Sequence, residues 1–265
     1  MPFTLLSHQA PALPLKLWRP SLSCGTALAI GSMAPDLEYL VQPRPEPVHG
    51  HTLYGQFIFC LPVTIALVWL FRRVAPTLAA HLPDGGRFHL RDYALISRAR
   101  MDGADLLRVA TSALLGSFSH ILADSFTHKH GWVVERVPAL RVLVGHIAGN
   151  PIYMYRALQL GGSVVMALLT IGMLHSIGRN RRLREWYGTE ELRLPVTQPA
   201  LFWGIGLTVG ALGAAARLNH DHFLRYINEP IAWGWAVLYF TCCTFIGCCI
   251  ATIALRPPVI PSRAQ

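Results

Sequence analysis

Four runs of the chain are apolar for long enough to cross a bilayer, which takes about 20 mainly apolar residues. They are residues 54–71 (YGQFIFCLPVTIALVWLF), 157–178, 199–216 and 231–255. Two further runs have the length but carry polar groups: 21–40, which contains GSMAPD, and 105–127, which leads into GSFSHILADSFTHKHG at 116–131. Their polar positions are expected to face the inside of a bundle, because charge turned toward lipid is costly. The pattern predicts an all-α, polytopic transmembrane helix bundle of about six membrane segments, four clear and two polar-containing. It forms a single integral-membrane domain over residues 1–265, with 72–104 as a polar cytoplasmic loop carrying a surface helix.

Composition agrees. The chain is 52% hydrophobic and 14% charged, where a soluble domain carries about 25% charged residues. The net charge of +9 invites a nucleic-acid reading, but its placement argues against one. Arg72 and Arg73, then Arg87, Arg91, Arg98 and Arg100, then Arg179, Arg181, Arg182 and Arg184 all follow apolar runs. Such clusters orient helices with their basic loops inside. The expected partner is therefore the lipid bilayer and not nucleic acid. Loops 72–104 and 179–198 are assigned to the cytoplasm, and 41–53, 128–156 and 217–230 to the opposite face. Residues 1–40 fit one span, a surface helix plus a span, or a re-entrant pair. Their basic residues follow the apolar part, so a retained N-terminus is expected and not a cleaved signal peptide.

Neither the cysteines nor the glycines demand chemistry. Cys242, Cys243, Cys248 and Cys249 lie inside the last apolar run, where cysteine acts as a small packing residue. Gly206 and Gly210 form a GxxxG in the fifth segment, read as close helix packing, with a dimer interface as the other option.

The polar stripe does demand an explanation. On a helix, Asp124 falls about 40° around from His120, His128 about 80° and Ser117 about 60°. A carboxylate and two imidazoles on one stripe suit shared metal ligation, since both are ordinary ligands for zinc, manganese or iron. The plainer alternative pairs Asp124 with a basic residue and leaves His128 and His130 as wet residues at the span end. GSMAPD presents Asp36, with Glu38 two residues on, where an apolar run stops. In HGHT, His49 and His51 precede the second segment, and in extended chain both point the same way. Under the six-segment layout Asp36, His49, His51, His120, Asp124 and His128 all reach the outer face. His220 and His222 are secondary candidates there. His8 joins only if the N-terminal segment doubles back. His81, His89 and His175 are read as incidental.

PFTLLSH, GSMAPD, GHTLYGQFIFCLP and GSFSHILADSFTHKHG together resemble a bacterial integral-membrane family, domain of unknown function 4184, in order from residue 2 to about residue 175. More distantly, a His, then PD, then H-x-H-T, then H-x-x-x-D is similar to the LexA-regulated membrane-bound metal-dependent hydrolases, which carry PD-[ILV]-D and HRG-x-THS motifs. Asp36 matches the first aspartate, Glu38 stands in place of the second, and His51 with Thr52 matches the TH pair with the Arg-Gly replaced. The resemblance implies a bacterial inner-membrane protein with a metal site.

The leading expectation is a membrane-embedded hydrolase using a divalent ion, zinc or manganese, at the outer face. His120, Asp124, His51 and Asp36 are the ligands, His8, His49 and His128 further candidates, and Glu38 the general base. A lipid or phosphoester substrate follows from the location. The alternative is a structural metal site or polar network without catalysis. Transport is the weakest of the three, since the last three segments lack ionisable residues at their centres.

Overall fold

The computed structural model describes residues 4–42, 49–84, 86–99, 102–147, 149–189, 194, 197–223 and 232–255. Among these described residues, five helical stretches are long and apolar enough to cross a membrane: Leu53–His81, Gly103–Arg136, Met154–Arg179, Pro199–His220 and Gly234–Ala254. This is a multi-pass, all-α membrane bundle. The N-terminal part adds three shorter helices, α1 (Thr4–Ser7), α2 (Leu13–Trp18) and α3 (Gly25–Val41). With 17 residues, α3 reaches about 26 Å, short of the roughly 30 Å hydrocarbon thickness.

The first long helix begins as α4 (Leu53–Gly55), passes through a π-helical turn at Gln56–Cys60 and continues as α5 (Leu61–His81). It therefore extends well into the stretch expected to be loop. Arg72, read from the sequence as a loop cation, is buried on α5. It donates to Asp105 at 2.6 Å (Nη1–Oδ2) and 3.4 Å (Nη2–Oδ1). Asp105 belongs to α6 (Gly103–Thr127), whose first turn is capped by the Asp102 carboxylate accepting from the Asp105 N–H at 2.8 Å. A 3-10 segment, Leu90–Arg98, packs against α5, and its Asp92 binds Arg181 at 2.9 Å and Arg184 at 3.1 Å.

After α6 come α7 (Trp132–Arg136) and a hairpin, β1 (Leu143–Ile147) with β2 (Asn150–Tyr153), which the hydropathy pattern does not predict. Then follow α8 (Met154–Arg179), α9 (Arg182–Tyr187), α10 (Pro199–Phe223) and α11 (Ala232–Ala254). α10 and α11 form a tight pair. A Cβ on Gly206 would stand 2.8 Å from the Cys248 sulfur, and one on Gly210 would strike Thr244. The GxxxG is thus used within the chain, and the cysteines on α11 supply its small partners.

The contact that matters most for function joins α3 to α6. They run parallel and in constant register. The Cys24 N–H donates to Ser112 Oγ at 2.9 Å, and the Ser32 carbonyl accepts from His120 Nδ1 at 2.8 Å, both pairs 88 residues apart. The approach is close because glycines meet backbone. A Cβ on Gly116 would lie 2.8 Å from Ser32 N, and one on Gly31 would collide with the Ala113 carbonyl.

The N-terminal segment doubles back. Lys16 is buried at the turn and donates to the carbonyls of Pro20 (2.7 Å) and Ser23 (3.0 Å). Burial pulls its pKa down to about 8. Both ends of residues 8–36 consequently reach the same end of α6, which is the re-entrant option for the N-terminus. Backbone that turns inside a bundle is tolerated when protein covers it.

Gly116→Val is expected to cost about 1–3 kcal/mol or more by overpacking, read as a lower unfolding temperature in detergent. Gly204→Val, where a Cβ meets nothing within 4 Å, should change little. Equal unfolding temperatures for the two variants would contradict the α3–α6 account.

Candidate metal centre

Five of the expected residues converge, from four stretches of chain. His120 and Asp124 come from α6, Asp36 from α3, His51 from the turn before α4, and His8 from the turn after α1. His120 Nε2 lies 3.2 Å from Asp124 Oδ2 and 3.7 Å from Asp36 Oδ1. His51 Nε2 lies 3.5 Å from Asp124 Oδ2 and 3.6 Å from Asp36 Oδ1. His8 Nε2 lies 3.6 Å from Asp124 Oδ1, and its ring stacks on His120 with centroids 3.8 Å apart.

The backbone fixes how His120 presents itself. A carbonyl only accepts, so Nδ1–H must donate to Ser32, which turns Nε2 toward the carboxylates. Ligating histidines are held in this way in metal proteins. His8 lies outside the spanning helices. Burial first, then the adjacent His120, pushes its pKa down to about 3, so its ring is neutral.

His49 and His51 do not point the same way, contrary to the extended-chain expectation. The segment turns, with the Thr52 N–H donating to the His49 carbonyl at 2.8 Å. His51 is sent into the cluster and His49 toward Glu38. The Glu38 carboxylate, 2% exposed, accepts from the N–H groups of His49 (2.9 Å) and Gly50 (2.6 Å), and His49 Nδ1 lies 3.3 Å away. Glu38 thus clamps the turn that delivers His51, and its oxygens and the His49 ring stand outside the group of ligand atoms. Gln56, inside the π-helical turn, adds a second clamp. Its amide donates to the carbonyls of Gly50 (2.7 Å) and Thr52 (3.0 Å). Gln56 is not among the residues singled out by the sequence pattern, although a glutamine beside a histidine motif in an apolar run is a signal for it.

His128 sits at the rim. Its Nδ1 is 3.4 Å from Asp124 Oδ1, and its Nε2 accepts from the Gln159 amide at 2.9 Å, while the Gln159 oxygen accepts from Arg156. It orients Asp124 from the open side. Ser117, on the same stripe, donates to the Leu114 carbonyl of its own helix at 3.1 Å. His220 lies beside Arg217 on α10 and belongs to neither group of ligand atoms, and the side chain of His222 falls outside the described residues. His81 is structural: it stacks on Phe202 and accepts from the Gln198 N–H at 3.0 Å.

The cluster is not satisfied from within. His120 Nε2, Asp36 Oδ2 and Asp124 Oδ1 are buried and make no hydrogen bond, and the same holds for Nδ1 of His8 and of His51. Donor atoms bonded to one zinc at about 2.0–2.1 Å stand about 3.3 Å apart in a tetrahedron, close to the separations here. Two groupings meet at His120: His8, His120 and Asp124, and Asp36, His51 and His120, with ligand atoms within 4.8 Å of one another. The donors are imidazole nitrogens and carboxylate oxygens, groups that could hold a metal ion.

Comparison with known proteins adds the family. A domain of unknown function (DUF4184) matches residues 1–255. The chain belongs to this family. DUF4184 therefore covers every residue of the cluster, so the site lies within the family's own domain. No curated protein and no solved structure matches the chain, and the likeness to LexA-regulated hydrolases rests on motif order alone.

Glu38→Ala should cost about 1–3 kcal/mol, because it strands two N–H donors at a buried turn. His49→Ala leaves the clamp in place and should cost less. Thermal unfolding in detergent measures both, and a Glu38→Ala loss no larger than that of His49→Ala would contradict the clamp.

Proposed function

We propose that this protein is a metal-dependent hydrolase of the bacterial inner membrane, with its site at the extracytoplasmic face and a lipid or phosphoester as substrate. The observation that carries the reading is the set of buried, unsatisfied donors. Two carboxylates and three imidazoles crowd together, each with a buried nitrogen or oxygen that makes no hydrogen bond. Burying two carboxylates side by side is unfavourable unless a positive charge is shared between them. A divalent ion supplies that charge.

His8, Asp36, His51, His120 and Asp124 would hold the ion, and Ser32, Glu38, Gln56 and His128 would orient them. When bound, such an ion supplies Lewis acidity and lowers the pKa of a water toward about 7. His128, exposed at the rim and facing Asp124, is placed to exchange a proton with solvent. Glu38 is already occupied by two N–H groups, so proton transfer at the rim is assigned to His128.

The placement outside rests on the clusters of arginine at the opposite end of the bundle. Arg179, Arg181, Arg182 and Arg184 all lie at the far end of α8 from Gln159 and the site. A structural metal site is the second reading, and the number of donors favours it. Five protein ligands can close a coordination shell, where catalytic sites keep a position open.

Metal content by mass spectrometry on detergent-purified protein tests the proposal. About one divalent ion per chain is expected, lost in His120→Ala and in Asp124→Ala and kept in His49→Ala. Folded wild-type protein that stays metal-free after addition of zinc or manganese would overturn it.

A further inference from the structure

A cavity lies directly beside the cluster. It has a volume of about 290 Å³ and sits between α6 and α8, closed on a third side by the turn after α1. Its walls divide by chemistry. His8, Asp124 and Gln159 supply polar groups to it, while Phe126, Leu158 and Met166 supply large apolar side chains. Phe126, Leu158 and Met166 are 43%, 41% and 39% exposed. On the outer surface of two spanning helices, the solvent for such side chains is the hydrocarbon of the bilayer. The groove therefore opens sideways into lipid and ends at the cluster.

The polar end is also basic. Arg156 donates to Gln159, which lines the same cavity, and Lys129 is exposed just beyond the end of α6. An apolar channel that ends at cationic and metal-ligating groups fits one kind of molecule: an anionic amphiphile lying in the leaflet. We propose that this groove holds an acyl chain of an anionic phospholipid, with its phosphate-bearing headgroup against Arg156, at the end of the groove that His8 and Asp124 line. Occupancy of the groove stands on its own lining. That the bound lipid is the substrate rests on the hydrolase reading above.

Gly162 provides a clean probe. A Cβ at this position would meet nothing within 4 Å, so a larger side chain fills the groove without displacing packed atoms. The full-length protein in lipid nanodiscs would be photolabelled with phosphatidylglycerol carrying a diazirine on one acyl chain, and the labelled peptides mapped. Labelling is expected to concentrate on 122–127 and 158–166. It should fall about tenfold in Gly162→Phe, with metal content unchanged, and unlabelled phosphatidylglycerol should compete where soluble glycerophosphoglycerol does not. Met166→Trp blocks the groove independently, should Gly162→Phe fold poorly. Labelling that is unchanged in both variants, or spread evenly over the lipid-facing helices, would overturn the groove. Competition by glycerophosphoglycerol alone would overturn the acyl-chain assignment. Groove labelling in a protein that binds no metal would leave the lipid site standing and remove the hydrolase reading.

Discussion

The parallel contact between α3 and α6 is the constraint on which the site depends. Parallel helices joined by a long excursion of chain need a reason to lock in one register, and here backbone supplies it. Gly31 and Gly116 allow the two helices to approach until the carbonyl of Ser32 meets His120. One hydrogen bond then does two things. It satisfies a carbonyl deep in the bundle, and it sets the tautomer of the histidine that both ligand groupings share. Asp36 follows Ser32 by one helical turn and Asp124 follows His120 by one turn. The register that pairs the first two thus brings the carboxylates together.

Two carboxylates at that position would be a liability in a bundle without compensation. The bundle turns other chain segments toward them. The re-entrant N-terminus brings His8, and the turn clamped by Glu38 and Gln56 brings His51. The π-helical turn at Gln56–Cys60 belongs to this arrangement, because π-turns commonly mark functional sites. It carries the side chain that holds the carbonyls of Gly50 and Thr52. Ionisable groups elsewhere are handled differently: Arg72 and Asp105 pair directly through two guanidinium–carboxylate hydrogen bonds. A direct ion pair at one end and a crowd of imidazoles and carboxylates at the other give the bundle its chemical polarity.

Much of this was legible in the residues. The stripe of His120 and Asp124 follows from helical periodicity, and the proline-aspartate at residues 35–36 marks the end of an apolar run. What periodicity does not reveal is the path between elements. His8 could not be placed, because α2 and α3 are too short to be distinguished from a single span by hydropathy. His49 and His51 read as equivalent, because a turn and an extended strand differ only in backbone angles that these residues tolerate equally. Arg72 read as a loop cation, because its partner Asp105 lies 33 residues away. The clamps by Glu38 and Gln56 are likewise tertiary, and no local pattern assigns a carboxylate to backbone N–H groups instead of to an ion.

Imidazoles and carboxylates from four chain segments are proposed to share a single ion. X-ray absorption at the zinc edge of the zinc-loaded protein tests it most directly. The predicted spectrum has a shell of nitrogen and oxygen at about 2.0–2.1 Å, with the outer-shell scattering of several imidazoles. A sulfur shell at about 2.3 Å, or an oxygen-only shell without imidazole scattering, would contradict it.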